Sequence, residues 1–314
     1  AASISGQPMC VRFHVSRTAV WKAIEQLKKE GYEIEAVRNR GYRLLESPDI
    51  MSEAEIRSLM DTEWAGKNIV YFDEIDSTNN RAKELGEKDG AHGTLFVADR
   101  QVAGKGRRGR VWESPKGISI YMTILLRPDL TPTKAPMLTL VMAQSVAEGI
   151  REVTGMETGI KWPNDIVMNK KKVCGILTEM STEIDYINYV VIGVGINVNQ
   201  KVFDEELKEK ATSLMIETGA PVKRSALIAA VMKHFEKNYA LFMENGDLSG
   251  LQESYNEMLV NRGKEVRILE PGNEYNAHAY GINETGELIV RTQKGEEKHI
   301  FAGEVSVRGI YGYV

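Results

Sequence analysis

The sequence has few of the features that mark disulfide-rich, zinc-binding, secreted or membrane-spanning proteins. Its 314 residues contain two cysteines, Cys10 and Cys174, which are too few for a disulfide scaffold and fit a reducing cytosol. The five histidines are scattered, with no spacing typical of a zinc site. We expect no signal peptide, and no apolar run is long enough to span a membrane. The net charge of −4 argues against bulk nucleic-acid binding, so any such contact requires a local basic surface.

The length of the chain and the changes in its pattern of helical and extended segments predict three domains. Residues 1–47 form a compact helical unit that ends in a hairpin. Residues 48–262 alternate helical and extended patterns, which predicts a mixed α/β domain. Residues 263–314 hold short strands separated by turns such as Pro271-Gly272, which is typical of a small β-barrel.

The N-terminal unit has the pattern of a winged helix-turn-helix. Pro8 suits the first turn of a short helix, and Ser16 is a good N-cap for a second one. The apolar face of the second helix consists of Val20, Ile24 and Leu27. A hairpin follows around an Asn39-Arg40-Gly41 turn. The arginines predicted at its tip are Arg38, Arg40 and Arg43.

The central domain is predicted to contain five strands and three long helices. The strands are expected at residues 69–72, 94–98, 118–126, 173–180 and 189–196. The helices are expected at residues 79–88, 136–153 and 224–243. One face of the middle helix is predicted to carry Leu138, Val141, Met142, Ser145, Val146, Gly149 and Ile150. A domain of this size can bury a substantial core.

The most informative segment is a basic glycine loop, residues 104–110, in which three glycines alternate with four cations. Glycines let backbone N–H groups approach a ligand, and cations neutralise an anion such as a nucleotide triphosphate. The segment matches G-x-G-x-x-G, but Pro115 and Gly117 follow it and disfavour the helix that a dinucleotide site requires. A solvated basic loop is the alternative interpretation.

Two lysine-containing motifs follow. In Lys161-Trp162-Pro163-Asn164-Asp165 the proline prevents a helix, so a cation, an amide and a carboxylate share one tight turn. Asp165 is a candidate for Mg²⁺ or for an arginine of the basic loop, and the alternative is a surface ion pair at a strand end. Lys172 leads an apolar strand, where it either holds a carboxylate or extends to solvent.

Two further motifs lie at the ends of predicted elements. Asp76-Ser77-Thr78-Asn79 precedes a helix and is interpreted first as an N-cap, and second as a site for a neutral polar ligand. Gly193-Val194-Gly195-Ile196-Asn197 ends an apolar strand with glycines that permit close ligand approach. The alternative is a strand that leads into a turn.

The joint order of these motifs resembles that of the biotin protein ligases. The N-terminal helix Ser16-Arg17-Thr18-Ala19-Val20-Trp21-Lys22 and the arginine-bearing wing are similar to the bifunctional bacterial form, which is also the repressor of the biotin operon. The resemblance covers nearly the whole chain. It implies a winged helix-turn-helix, a central biotin/lipoate-ligase-like α/β domain and a C-terminal SH3-like β-barrel.

The resemblance also assigns site residues. The implied biotin contacts are Ser77, Thr78, Asn79, Gln101, Lys105, Gly106, Arg107 and Lys172. The implied ATP contacts are Arg107, Arg108, Arg110, Lys161, Asn164, Asp165 and Asn197, with Asp165 also a candidate Mg²⁺ ligand. The implied catalytic residues are Lys172, Arg107 and Lys161. The DNA contacts are expected from Ser16, Arg17, Thr18, Lys22, Arg38 and Arg40.

By the same resemblance, the protein makes biotinyl-5′-AMP from biotin and ATP with Mg²⁺ and passes biotin to a lysine of biotin carboxyl carrier protein. Biotin's carboxylate must meet the α-phosphate of ATP, so the site must bring two anions together by positioning and electrostatics. The basic loop is expected to order over the adenylate. A homodimer, operator DNA binding, repression and a cytoplasmic location are implied as well, with no membrane partner.

The chain departs from the family pattern at two places. Lys105 stands where arginine is common, which keeps the charge but not the bidentate geometry. The N-terminal unit is expected to lack the first helix of the family's winged helix. The residues leave two other functions open. One is a lipoate or octanoate ligase, and the other is a DNA-binding regulator whose α/β domain senses a ligand without turnover.

Overall fold

The computed structural model of the chain describes residues 4–29, 31–38, 40–46, 48–270, 273–301 and 306–309. It divides into two compact units, residues 1–50 and 51–314. Three predicted features, at Asn39, Ser47 and Pro271-Gly272, lie outside the described residues. Among the described residues, no helix has the length and apolar character needed to cross a membrane.

The first unit contains two helices and a hairpin: α1 (Gly6–Phe13), α2 (Arg17–Lys29), β1 (Glu33–Val37) and β2 (Gly41–Glu46). The predicted cap is confirmed, because Ser16 Oγ accepts a hydrogen bond from Ala19 N at 3.2 Å. On the predicted apolar face, Val20 and Ile24 are buried, whereas Leu27 at the end of the helix is exposed. The helix-turn-helix and hairpin order is therefore observed, with a short helix before α2.

The hairpin corrects one predicted arginine. Its ladder ends with Val37 opposite Gly41, so Arg43 lies within the strands and not at the tip. Arg43 faces Glu35 across the two strands, and its Nη2 lies 2.7 Å from the Glu35 carboxylate. Such a cross-strand pair is the ordinary way in which opposite charges stabilise a hairpin. Arg38 and Arg40 flank the turn and are exposed.

The central part of the second unit is a seven-stranded mixed sheet with the order β3-β4-β5-β9-β8-β7-β6. The strands are β3 (Ile69–Phe72), β4 (Leu95–Ala98), β5 (Ser119–Leu126), β6 (Gly159–Lys161), β7 (Asp165–Met168), β8 (Lys171–Thr182) and β9 (Ile187–Asn197). The β3–β4 pair is parallel, and the other pairs are antiparallel. The five predicted strands are confirmed, while the short β6–β7 hairpin was not predicted.

The helices of this unit cover both faces of the sheet. They are α3 (Glu53–Leu59), α4 (Thr78–Gly86), α5 (Met137–Thr154), α6 (Leu214–Thr218), α7 (Arg224–Asn245) and α8 (Gln252–Met258), with 3-10 turns at Arg107–Gly109 and Pro132–Lys134. Side chains alternate along β5, so Ile124 packs in the large core with α5 and α7, while Leu125 packs with α4 on the other face. The predicted buried face of α5 is confirmed.

The C-terminal part is a five-stranded antiparallel sheet with the order β13-β12-β11-β10-β14. Its strands are β10 (Lys264–Glu270), β11 (Asn273–Ile282), β12 (Leu288–Thr292), β13 (Glu297–Ile300) and β14 (Ser306–Gly309). Trp162 links it to the central sheet, because its Nε1 donates to Gly286 O at 3.0 Å and its backbone N donates to Asn261 Oδ1 at 2.9 Å. The two parts therefore share one core, and the SH3-like barrel stays a prediction.

A charged cluster ties α5 to α7 away from the sheet. His234 Nδ1 lies 3.2 Å from Glu148 Oε2, and its Nε2 lies 2.9 Å from Glu152 Oε2. Lys233 also pairs with Glu152 at 3.1 Å. A hydrogen bond to Glu148 raises the pKa of His234 above its ordinary value, although burial opposes it, and Glu152 adds to the rise.

This cluster predicts a pH-dependent contribution to stability. Because the folded pKa of His234 is raised, its stabilisation is complete below about pH 6.5 and is lost as the pH rises through the folded pKa. His234→Gln should cost on the order of 1 kcal/mol at pH 6, after allowance for solvent screening, and less at pH 9. Urea unfolding of both proteins at the two pH values measures this. An equal loss at both values would contradict the assignment.

Candidate active site

The floor of the site is the α4 face of three neighbouring strands. In β9 the side chains of Gly193 and Gly195 would project on this face, and Gly175 of β8 lies opposite Gly195. A Cβ added at Gly193 would lie 2.1 Å from Asn79 Oδ1, and one at Gly195 would lie 2.6 Å from Trp112 Nε1. Both distances are shorter than contact distances in folded proteins. The strand glycines therefore make the space that these side chains occupy.

The start of α4 forms one wall. Ser77 occupies the N-cap position, but its side chain makes no capping hydrogen bond, so the first interpretation of this motif as a side-chain cap is wrong. Gln101 takes the role of the capping side chain, because its Oε1 accepts hydrogen bonds from Thr78 N at 2.9 Å and from Thr78 Oγ1 at 3.1 Å. Gln101 Nε2 donates to Ser114 Oγ at 3.1 Å. The hydroxyl of Ser77 is thus not used for capping and lines the cavity instead.

The basic loop is a small hairpin that reaches across the cavity. Gly106 N donates to Arg110 O at 2.7 Å, and Trp112 N donates to Gly104 O at 3.0 Å. Arg108 takes a left-handed conformation at the 3-10 turn of the tip, with φ of 58°. Strand β5 follows the loop without a helix, so the sequence-based rejection of a dinucleotide fingerprint is confirmed.

Two cations of this loop contact the opposite walls. Lys105 Nζ donates to Asn80 Oδ1 at 3.0 Å, and Arg107 Nη1 donates to Asn164 Oδ1 at 2.8 Å. The second contact joins the basic loop to the Lys161–Asp165 motif, which forms the turn between β6 and β7. Burial lowers the pKa of Arg107, against the effect of nearby Asp165, but a guanidinium stays charged. The loop therefore brings permanent positive charge to the cavity.

Lys172 supplies a third cation from the start of β8. Its Nζ lies 2.6 Å from Asp165 Oδ1 and 5.2 Å from the centroid of the Trp112 ring. The ammonium is thus held between a carboxylate and an aromatic face, and its side chain keeps 23% of its exposure. Asp165 pairs with this lysine, a partner that was not predicted. An anion that enters the cavity meets Lys105, Arg107 and Lys172 together.

These walls line an open pocket with about 470 Å³ of empty space. Nine predicted site residues line it: Ser77, Thr78, Asn79, Gln101, Lys105, Gly106, Arg107, Asn164 and Lys172. A second pocket, with about 670 Å³ of empty space, shares Arg107, Asn164, Ile176 and Leu177 with the first and is bordered by Pro136, Pro163 and Met180. The shared residues separate two adjoining spaces, an arrangement that suits a ligand of two parts.

The remaining predicted residues lie outside both cavity linings. Lys161 is buried at the end of β6, and Asn197 ends β9 with its Nδ2 donating to Thr212 O at 3.1 Å. Arg108 and Arg110 are on the basic loop, outside the pocket walls. Asp165 contacts the lining through Lys172. Their assigned roles in nucleotide binding and catalysis stay predictions.

The structure adds lining residues that the sequence did not single out. Trp112 follows the basic loop directly, and Tyr121 projects from β5 beside Gly195. An aromatic residue next to a cationic glycine loop was an available signal for Trp112. Tyr121 carried no such signal, because it lies in an ordinary apolar run and only strand register places it here.

The donor set tests whether the protein itself holds a metal. Asp165 offers one carboxylate beside the cavity, and Lys172 already pairs with it. Within the described parts of the chain, no group of three or more His, Cys, Asp or Glu side chains is able to hold a metal ion. A single carboxylate fits an ion that is carried mainly by the phosphates of a nucleotide, not a resident metal centre.

Comparisons with known proteins agree with this architecture. Residues 1–43 match an HTH domain, residues 71–197 match the biotin/lipoate A/B protein ligase family, and residues 263–308 match the biotin protein ligase C-terminal domain. The bifunctional ligase/repressor BirA of Bacillus subtilis (strain 168) is 44% identical over 308 residues, which cover 97% of this chain and 94% of that protein. BirA of Escherichia coli (strain K12) is 28% identical over 305 residues, with 97% and 92% covered.

A solved structure is similar as well. The biotin protein ligase from Aquifex aeolicus in complex with biotin and ATP has a TM-score of 0.69 and 34% identity, covering 77% of this chain and 99% of that one. The mixed sheet, the glycine-floored cavity and the cationic loop thus define a protein ligase of the biotin/lipoate class. The chain belongs to the bifunctional ligase/repressor BirA family, and its enzymatic class is that of the biotin protein ligases.

Proposed function

We propose that this protein condenses biotin and ATP to biotinyl-5′-AMP in the two adjoining cavities and then transfers biotin to a lysine of biotin carboxyl carrier protein. The observation that carries the proposal is the convergence of Lys105, Arg107 and Lys172 on one cavity whose other wall is neutral and polar. A bicyclic urea with a carboxylate tail needs that combination. The neutral wall suits the ureido ring, and the cations suit the carboxylate and the phosphate.

The first step joins two anions. A carboxylate oxygen of biotin attacks the α-phosphorus of ATP, and the bond from that phosphorus to the bridging oxygen breaks, releasing pyrophosphate. Lys172 and Arg107 hold the reacting groups together and offset the charge that gathers on the α-phosphate, so no protein nucleophile is needed. Mg²⁺ bound with ATP would offset further phosphate charge, and Asp165 is the carboxylate of this motif that would hold it. Lys161, Arg108, Arg110 and Asn197 complete the proposed nucleotide contacts.

The second step uses the lysine amine of the carrier. The amine attacks the acyl carbon of the mixed anhydride, the bond to AMP breaks, and an amide forms. Lys105 and Arg107 already tie the basic loop to both walls of the cavity, which supports a role for the loop in shielding the anhydride from water. Lys105 reaches Asn80 as a single donor, consistent with the loss of bidentate geometry at this position.

One assay tests the ligase proposal. The protein is supplied with ATP, Mg²⁺ and biotin, lipoate or octanoate in turn, and pyrophosphate release is measured. We expect release with biotin. Release with lipoate or octanoate alone would assign the other ligase class, and release with none would favour a regulator that only senses its ligand. Transfer to the carrier is then followed by mass spectrometry, with an increase equal to one biotinyl group.

We further propose that the protein is a cytosolic homodimer when adenylate is bound, and that the dimer represses by binding operator DNA. The exposed arginines Arg38 and Arg40 at the hairpin turn support phosphate contacts by the wing. At the helix, Arg17 Nη2 donates to Gln7 Oε1 of α1 at 2.7 Å, and Ser16, Arg17 and Thr18 lie in sequence at the start of α2. Lys22 lies one turn further along the same helix.

Arg40 gives a measurable prediction for this role. Arg40→Ala should weaken operator binding and flatten the dependence of log K on log salt by about 0.9 for each phosphate that the wing no longer neutralises. Fluorescence anisotropy with labelled operator DNA, over a salt series and with biotin and ATP present, measures the slope. Lys67→Ala removes an exposed cation from the other unit and should leave the slope unchanged. An unchanged slope in Arg40→Ala would argue against a DNA-facing wing.

A further inference from the structure

A hydrogen bond between Gln7 and Arg17 joins the two helices of the helix-turn-helix near their N-terminal ends. Gln7 lies in the first turn of α1, and Arg17 is the first residue of α2. Arg17 Nη2 donates to Gln7 Oε1 at 2.7 Å, and both residues are exposed. The two partners are ten residues apart along the chain, so the turn between the helices brings them together. The helix that precedes α2 therefore holds the side chain of its first residue.

The group that holds Arg17 is a neutral amide and not a carboxylate. Two other cations of this unit are paired with acids, because Arg43 contacts Glu35 and Lys28 contacts the acid three residues before it. Among the described residues of the unit, no carboxylate lies within ion-pair distance of Arg17. Since a glutamine carries no charge, it restricts the guanidinium without neutralising it. Arg17 thus keeps its full positive charge for a ligand outside the unit.

The position of Arg17 suits a contact with a base. In a helix-turn-helix the second helix lies in the major groove, and its N-terminal residues contact base edges. That helix is α2, and the hydrogen bond from Ala19 N to Ser16 Oγ caps it directly before Arg17. A guanidinium has five N–H donors, of which the contact with Gln7 uses one. Enough donors remain for a bidentate pair with O6 and N7 of a guanine.

We infer that Gln7 is a positioning residue for DNA sequence recognition, which holds the Arg17 guanidinium for bidentate contact with one guanine of the operator half-site. The inference rests on the proposed operator binding and deepens it, because it separates one base-reading arginine from the phosphate-contacting arginines of the wing. A side chain that is already restrained loses less conformational freedom when it meets the base. The base preference at one position of the DNA therefore depends on a residue of α1.

Selection from a randomised DNA library, with biotin and ATP present, tests the inference and defines the operator at the same time. The wild-type protein should select a guanine that Arg17→Ala no longer selects, with discrimination at that position reduced about tenfold to hundredfold. In Gln7→Met the same position should lose discrimination by about threefold to tenfold. The other positions and the salt dependence should stay unchanged in Gln7→Met, because no charge is removed. Competition anisotropy with single-base variants of the selected DNA measures each ratio.

Gln7→Glu is the matched comparison, because it keeps an acceptor for Arg17 and adds a negative charge. It should keep the preference for guanine but bind all DNA sequences several-fold more weakly, since the carboxylate opposes the phosphates. All three variants should keep wild-type pyrophosphate release, because neither residue lines the cavities. Thermal unfolding should show that they are folded.

Three results would overturn the positioning role. They are an unchanged guanine preference in Gln7→Met, an equal loss of preference at every position in that variant, and an Arg17→Ala protein that binds all sequences equally more weakly. The last result would make Arg17 a phosphate contact. Failure of the wild-type protein to select any sequence is a different outcome, which rejects the proposed operator binding itself.

Discussion

Lys172→Ala is expected to reduce biotinyl-adenylate formation on the order of 10²–10³-fold, the usual effect of removing one charge-stabilising donor from a reacting centre. Lys172 contacts Asp165 and the Trp112 ring at the edge of the cavity, not the central core. Its loss removes the cation proposed to hold the substrate carboxylate. Single-turnover measurement of labelled AMP incorporation, with both substrates saturating, isolates the chemical step from binding.

The neighbouring lysine provides the control for this experiment. Lys171 precedes Lys172 on β8, and its Nζ donates to Lys208 O, a residue outside the cavity lining. Lys171→Ala changes the net charge by the same amount and should keep normal turnover. Thermal unfolding should show both variants folded. Normal turnover in Lys172→Ala would remove this residue from the proposed mechanism, whatever the control gives.

Strand register explains how much of the site was predictable. Apolar runs indicated the strands near 69–72, 118–126 and 189–196, and the motifs indicated nine lining residues. Thr123 and Glu179, which contact Thr78 and Asn79, were not predictable, because they carry no motif and come together only through the pairing of β5, β9 and β8. Local sequence predicts that a strand forms, but it does not predict which of its side chains contacts a side chain of the neighbouring strand.

Local rules also assigned one role wrongly. Ser77 at a helix start is expected to cap it, and tertiary structure instead gives that task to Gln101, 23 residues beyond Thr78 along the chain. A short polar residue released from capping is available to a ligand. The exchange is a case in which a departure from the local preference marks a functional position. Arg43 is the opposite case, because it departs from no local preference: its pairing with Glu35 follows ordinary cross-strand chemistry.

Gly193→Ala is expected to weaken biotin binding on the order of a hundredfold while the protein stays folded. The added methyl group would lie 2.1 Å from Asn79 Oδ1, so the Asn79 side chain must leave its place. That displacement breaks the hydrogen bonds to Thr123 and Glu179, each worth about 1–1.5 kcal/mol. Overpacking should also lower the free energy of unfolding by about 1–3 kcal/mol. Isothermal titration calorimetry and urea unfolding measure the two effects.

A double-mutant cycle identifies the cause of that loss. Asn79→Ala removes the side chain that the new methyl group would strike, so adding Gly193→Ala to it should cause little further loss of biotin affinity. The two single changes would then be strongly non-additive, as expected for residues in direct contact. Additive losses would mean that Gly193 acts independently of Asn79, for example by close approach of its backbone to the ligand.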